Sequence, residues 1–118
     1  MLSKKSELNY LETTPKRNYG HELRDDGMIN VLVPRFTDRI LGKYLQPKLK
    51  NPFIKANLDE FGTATWFLMD GSNRVDTIAD RLTEQFGEKI QPVHQRLTFF
   101  LTHLHKAGFI TFKELERK

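Results

Sequence analysis

Two successive segments in the C-terminal half repeat one apolar spacing, and this spacing constrains the fold more than any other feature of the chain. Apolar side chains recur at steps of three and four residues from Val75 to Phe86, and again from Val93 to Leu104. That period places each set on one side of an α-helix. A glycine follows each segment, which is typical of a helix end. The sequence therefore predicts two amphipathic helices, each with one buried face.

A third helix-length segment precedes them at residues 58–71, which read LDEFGTATWFLMDG. It contains Trp66, the only tryptophan, and its apolar residues spread over most sides of a helix. Asp59 suits the positive end of the helix dipole, and Gly71 can supply a left-handed stop. We expect this helix to lie centrally in the domain with Trp66 buried, so we interpret it as scaffold and not as a site.

Extended segments come before the helices. In NYGHELRDDGMINVLVPRF, strands near 19–24 and 28–34 flank a turn in which Gly27 can take a positive φ. Residues 53–57, FIKAN, follow a proline and form a third short strand. The starting proline and the outward Lys55 are typical of a strand at the edge of a sheet.

The remaining segments complete the predicted organisation. Residues 1–17 lack a sustained period and are interpreted as a flexible N-terminal arm, whereas residues 18–118 form a single domain. Within it, residues 35–52 are a basic connection, and FITF at 109–112 returns as a short strand. The predicted fold class is α+β and winged-helix-like, with an N-terminal three-stranded antiparallel sheet, then a three-helix bundle and a short C-terminal strand.

Composition limits the environment and the partners. The chain has 118 residues, no cysteine and a net charge of +4, so a single core held by packing alone is expected. Residues 1–57 carry 11 Lys or Arg against 6 Asp or Glu, whereas the helical half from residue 58 carries 8 against 9. Neither a membrane-length apolar run nor an apolar signal core is visible, so we expect a cytoplasmic protein without a membrane partner.

A set of core and turn residues in the helical half resembles the pattern of a known family. The set comprises Leu58, Asp59, Gly62, Trp66, Leu68, Asp70, Gly71, Val75, Ile78, Leu82, Phe100, Leu101, Leu104, Gly108, Phe109 and Ile110. With these residues, the stretch from about 18 to 112 resembles the coenzyme PQQ synthesis protein D family, the PqqD-like proteins.

The resemblance implies a noncatalytic peptide-recognition domain. Members of that family bind the leader segment of a ribosomally made precursor peptide and present it to a maturation enzyme, often a radical SAM enzyme. The best-known member serves pyrroloquinoline quinone biosynthesis. The bound peptide adds as a strand to the sheet edge and lies in a groove against the third helix.

The candidate site combines the predicted edge strand with one flank of the third helix. An edge strand offers unpaired backbone groups to a partner strand, and side chains beside it select which strand is accepted. On the helix, an apolar residue outside the buried face either covers another element or awaits a partner. The expected peptide-binding residues are Phe53, Ile54, Lys55, Ala56, Asn57, Arg96, Phe99 and His103. Arg96 as a solvated cation and Lys55 as an edge-protecting charge remain the alternatives.

No catalytic or metal-binding pattern is recognisable. His94, His103 and His105 share the third helix, but no two of them are three or four residues apart, as neighbouring ligands on one helix would be. There is no nucleophile elbow, phosphate loop or Cys/His couple. We therefore expect no enzyme activity, no metal and no cofactor.

Three other partners stay open. A winged-helix DNA-binding regulator is the alternative function, but the third helix offers only Arg96 and Lys106 as firm cations, and ten residues after it are too few for a full wing. The basic segment 35–52 could dock an acidic protein or membrane surface, or it could be a solvated loop. An open sheet edge could also pair with a second copy of the chain, so a homodimer is not excluded.

Overall fold

The computed structural model describes residues 10–35 and 52–116, and the chain divides into two compact units. One unit spans Tyr19–Glu60, and the other combines Met1–Asn18 with Phe61–Lys118. The strands are β1 (Pro15–Arg17), β2 (Gly20–Leu23), β3 (Ile29–Pro34), β4 (Phe53–Asn57) and β5 (Ile110–Phe112), and the helices are α1 (Glu60–Leu68), α2 (Val75–Phe86), α3 (Val93–Lys106) and α4 (Lys113–Glu116). Short 3-10 turns cover Tyr10–Glu12 and Gly87–Ile90.

The unit of residues 19–60 contains an antiparallel sheet in the order β2-β3-β4. Its register places Val31 between His21 on β2 and Ala56 on β4. At the β2–β3 turn Gly27 has a φ of 88°, and its backbone N–H donates to the carbonyl of Arg24 at 3.1 Å. The hairpin, the strand at 53–57 and the antiparallel three-stranded sheet predicted from the sequence are confirmed.

The side chain of Arg24 ties this hairpin to the end of β4. Its Nη1 donates to the carbonyl oxygens of Ile29 at 3.3 Å and Leu58 at 3.1 Å, while Nη2 donates to the Asp26 carboxylate at 2.6 Å. One guanidinium thus satisfies backbone acceptors on two segments of the unit. The sequence carried no periodic signal for this arrangement, because the partner residues are brought together only by the strand register.

The other unit contains the helices. Trp66 on α1 is fully buried, and α2 and α3 each bury one stripe, as their apolar spacing predicts. The buried apolar residues of this unit are Trp66, Met69, Val75, Ile78, Ala79, Leu82, Ile90, Val93, Leu97, Leu101, Leu104, Ile110 and Phe112. The predicted helices and the C-terminal strand are therefore confirmed, and the fold class is α+β.

Residues 15–17 differ from the sequence-based expectation. They were expected to belong to a flexible arm, whereas they form β1 and pair antiparallel with β5, with Lys16 opposite Thr111. Just before this strand, the carbonyl of Thr13 accepts a hydrogen bond from the N–H of Val75 at 2.9 Å. Both partners lie far away in sequence, so no local pattern indicates the pairing.

Two further expectations concern residues that the structure does not describe. The first part of the proposed arm, residues 1–9, lies outside the described residues, as does nearly all of the basic connection at 35–52. Within residues 10–35 and 52–116, no helix has the length and apolar character needed to cross a membrane.

Candidate functional site

Strand β4 forms an edge of the three-stranded sheet. Over the part of the chain that the structure describes, it pairs with β3 and with no other strand. The edge position predicted for residues 53–57 is therefore confirmed. Such a strand presents a row of backbone N–H and C=O groups that a further strand can use.

The hydrogen bonds around β4 identify which residues face outward. The N–H of Leu58 donates to the carbonyl of Ile29 at 3.0 Å, and the N–H of Arg35 donates to the carbonyl of Pro52 at 3.1 Å. In an antiparallel ladder, residue pairs that exchange backbone hydrogen bonds alternate with pairs that do not. Because Pro52 and Leu58 belong to bonded pairs, the even-numbered residues of this segment direct their backbone N–H and C=O groups toward β3. Phe53, Lys55 and Asn57 therefore direct theirs toward the open edge.

Two apolar side chains of β4 are exposed beside this edge. Ile54 is 52% exposed and Phe53 is 41% exposed, and they project from opposite faces of the sheet because side chains alternate along a strand. Ala56 lies on the same face as Ile54 and is half-buried. The edge thus offers open backbone groups with an apolar side chain available on each face.

The ammonium group of Lys55 already has a partner inside its own unit. Its Nζ lies 3.0 Å from Oε2 of Glu22 on β2, and the Nδ2 of Asn30 donates to the same carboxylate oxygen at 3.1 Å. The hydrogen bond from Asn30 and then the one from Lys55 hold the pKa of Glu22 below its ordinary value. Lys55 therefore reaches across β3 and away from the open edge.

Phe99 is the apolar residue of the predicted set on α3. It is 68% exposed, and its ring centroid lies 4.4 Å from that of His103, one helical turn further on. Nδ1 of His103 lies 3.1 Å from the carbonyl oxygen of Phe99. The two rings form an exposed aromatic pair beside a shallow hollow lined by His94, Gln95, Thr98, Phe99, Thr102 and His103.

Arg96, on the same flank of α3, makes contacts within the helical unit. Its Nη1 donates to the carbonyl of Lys89 at 2.8 Å, and its guanidinium carbon lies 5.2 Å from the ring centroid of Phe61. A cation above an aromatic ring is stabilised by the ring's negative face. Part of the donor capacity of Arg96 is thus engaged in holding the start of α3.

The predicted site residues therefore fall into two groups. Five of them lie consecutively on β4, and three share one flank of α3. The groups belong to different units, and the groove between strand and helix that the sequence resemblance implied stays a prediction. The sequence-based prediction did not include Glu22, which pairs with Lys55, or Asn30, which donates a hydrogen bond to Glu22. Both become recognisable only once the strand register is known.

The chemistry available at these residues is recognition through backbone groups, exposed apolar surface and a lysine. Among the described residues, no group of three or more His, Asp or Glu side chains is arranged to hold a metal ion. The molecule is a small α+β protein in which, among the described residues, the β4 edge of the three-stranded sheet lies beside exposed apolar side chains.

Comparison with known families agrees with this class. The model of the family described as Coenzyme PQQ synthesis protein D (PqqD) matches residues 55–110. The resemblance predicted from the sequence is confirmed over these residues, which are similar to that family and make up slightly less than half of the chain. Neither the curated proteins nor the solved structures contain a match.

The matched segment includes most of the candidate site. It begins at Lys55, inside β4, and ends at Ile110, the first residue of β5. All three candidate residues of α3 lie within it, whereas Phe53 and Ile54 precede it. The strands β1, β2 and β3 also lie outside the matched segment.

Proposed function

We propose that this protein is a noncatalytic module that binds the leader segment of a ribosomally made precursor peptide. The peptide adds as an extra strand along β4 and is presented to a maturation enzyme, such as the radical SAM enzymes that PqqD-like proteins serve. The compartment is then the cytoplasm, where a ribosomal precursor is made. The family relation and the chemistry of the β4 edge support this function.

The outward-facing backbone of β4 is the observation that carries the proposal. Phe53, Lys55 and Asn57 each offer one N–H donor and one C=O acceptor on the side away from β3. An extended peptide can pair with these groups in register, and such main-chain bonds contribute affinity largely independent of the peptide's side chains. Specificity must then come from the side chains next to the edge.

The exposed aromatic pair of α3 is the second part of the proposed surface. Phe99 and His103 present two exposed rings whose centroids lie 4.4 Å apart. Large apolar side chains exposed together commonly mark contact surfaces. We propose that this pair covers apolar side chains of the bound leader, or of the enzyme to which the leader is delivered.

Two substitutions at one position test strand addition. Lys55→Ala removes only the side chain, whereas Lys55→Pro also removes the outward N–H, and proline is tolerated at a sheet edge when its nitrogen faces away from the neighbouring strand. We expect Lys55→Pro to bind peptides selected from a displayed random library about tenfold more weakly than Lys55→Ala, because a peptide carbonyl is left unpaired. Titration calorimetry on the full chain measures the difference.

Backbone amide shifts show whether the peptide lies at β4. We expect the largest changes at residues 53–57 and around Phe99 and His103. Equal affinities of Lys55→Pro and Lys55→Ala, with no shifts in β4, would contradict strand addition. Salt-steep binding of duplex DNA without a peptide response would instead favour a DNA-binding regulator. The thermal melts of both variants provide the folding control.

A further inference from the structure

The pair formed by Lys55 and Glu22 lies beside the open edge and suggests how the module selects its peptide. We propose that β4 favours a peptide strand with a carboxylate opposite Lys55 and an aliphatic residue opposite Ile54, and that Glu22 competes with this carboxylate for the ammonium group of Lys55. This specificity rests on the proposed strand addition at β4.

The register places the two charges on one face of the sheet. Glu22 is opposite Asn30, which is opposite Asn57, and Lys55 lies two residues before Asn57 on the same face. Lys55 is itself opposite Leu32 on β3, so its side chain passes over that strand to reach Glu22 on β2. The ammonium group is therefore held on the side away from an incoming peptide.

Release of Lys55 from Glu22 costs little. The side chains of Lys55 and Glu22 are 57% and 38% exposed, and pairs in contact with solvent contribute only weakly to stability. Glu22 does not lose all its partners on release, because the Nδ2 of Asn30 continues to donate to its carboxylate. An ammonium group has three N–H donors, so Lys55 can also contact the Glu22 carboxylate and a peptide carboxylate at the same time while it changes partner.

A peptide added along β4 would meet Lys55 and Ile54 on opposite faces of the sheet. The peptide residue opposite Lys55 exchanges backbone hydrogen bonds with it, and its side chain lies on the same face of the sheet as that of Lys55. A carboxylate on this peptide residue can replace Glu22 as the partner of the ammonium group. The residue opposite Ile54 forms an unbonded pair, in which side chains approach more closely, and Ile54 is half exposed. In antiparallel addition the acidic residue directly precedes the aliphatic one.

A displayed library of random short peptides, selected on the full chain, tests the expected pattern. We expect enrichment of Asp or Glu next to Val, Ile or Leu in the peptides whose binding is sensitive to Lys55→Pro. From the best binder, two synthetic peptides are made that differ only by Glu or Gln at the acidic position. We expect the Glu peptide to bind about twofold to fivefold more tightly than the Gln peptide.

The variant Glu22→Gln then isolates the competition. We expect it to bind the Glu peptide about twofold to fivefold more tightly than the parent does, and the Gln peptide equally well, because the ammonium group is no longer engaged. Lys55→Ala should abolish the difference between the two peptides. Asp25→Asn is the matched control, because Asp25 is an exposed acid of the same hairpin and its loss changes the net charge equally.

The outcomes separate this inference from the proposed function. In one outcome, selected peptides lose affinity with Lys55→Pro but bind equally well with Glu or Gln at the acidic position. In another, Glu22→Gln and Asp25→Asn change the affinity for the Glu peptide equally. Either result would contradict the proposed competition between Glu22 and the peptide carboxylate and would leave strand addition intact. If no selected peptide responds to Lys55→Pro, strand addition at β4 is wrong, and the inference is wrong with it.

Discussion

Glu114 joins the two ends of the described chain. Its Oε1 accepts from the backbone N–H of Thr14 at 2.7 Å, and its Oε2 accepts from the Thr14 hydroxyl at 2.9 Å. Desolvation acts to raise the pKa of this carboxyl, but the hydrogen bonds from Thr14 and from the Glu114 backbone, together with the charge of Lys113, outweigh it, and the pKa lies below its ordinary value of 4.5. The ionised carboxylate is thus the form that the fold favours.

The lowered pKa predicts how stability depends on pH. A carboxyl whose pKa is lower in the folded chain contributes stability above its unfolded value, and this contribution is lost as the pH falls through the folded pKa. We expect Glu114→Gln to reduce the free energy of unfolding at pH 7 by on the order of 1 kcal/mol, discounted for solvent access. The difference from the parent should shrink below about pH 4.5.

Urea unfolding followed by Trp66 fluorescence from pH 7 to pH 3 measures this difference. Glu84→Gln serves as the control, because Glu84 is an exposed acid on α2. A constant difference between Glu114→Gln and the parent over that pH range would show that the carboxylate charge does not stabilise the contact with Thr14.

Individual side-chain roles were only partly accessible from the sequence. Burial of Trp66 and the position of Phe99 outside the buried stripe of α3 follow from helical spacing, which depends on neighbours within a few residues. The contacts of Glu114 with Thr14 and of Lys55 with Glu22 join segments that are distant in sequence. They depend on strand register, which the amino-acid pattern alone does not define for such short strands.

At the scale of elements, the β2–β3 hairpin depends on the conformation of one glycine. Gly27 has a φ of 88°, and a Cβ added there would meet nothing within 4 Å. Gly20, at the start of β2, has equally open space but no positive φ. The two glycines therefore differ in backbone conformation and not in the space around them.

This contrast provides a matched pair of substitutions. We expect Gly27→Ala to lower the free energy of unfolding by about 1 kcal/mol or more, because the left-handed region is costly for a residue with a Cβ. Gly20→Ala should stay within about 0.5 kcal/mol of the parent. Thermal and urea unfolding of both variants measure the effect, and equal losses would show that the positive φ of Gly27 does not determine the cost.

Elements were predictable where their signals are local. The helices α2 and α3 and the β2–β3 hairpin combine periodic apolar residues with glycines at their ends, and the structure contains all three. Strand β1 was missed because it has three residues, and its partner β5 lies at the other end of the chain. A strand of that length has no detectable alternation, so only the folded chain reveals it.

At the scale of the whole molecule, the family match and the folded units have different boundaries. The match covers residues 55–110, whereas the helical unit also uses β1, which lies before it, and Phe112, which lies after it. Ile110 and Phe112 on β5 are buried opposite Arg17 and Pro15. The residues that the family pattern records are therefore fewer than those that the fold requires.

We therefore expect a chain starting at residue 18, the predicted domain boundary, to be much less stable than the full chain. It would lack the β1–β5 ladder, the bonds from Val75 and Lys113 to residues 13 and 14, and both bonds of Glu114. At roughly 1 kcal/mol for each of several lost hydrogen bonds, the free energy of unfolding should fall by at least about 3 kcal/mol.

Addition of a peptide of residues 10–17 in trans separates loss of these contacts from a general effect of truncation. If β1 stabilises the helical unit through its pairing with β5, the peptide should raise the melting temperature of the shortened chain in a concentration-dependent manner. A scrambled peptide of the same composition should not, because it cannot place a proline opposite Phe112 and an arginine opposite Ile110. A shortened chain that melts cooperatively within a few degrees of the full chain would show that residues 10–17 are a dispensable arm, as their composition first indicated.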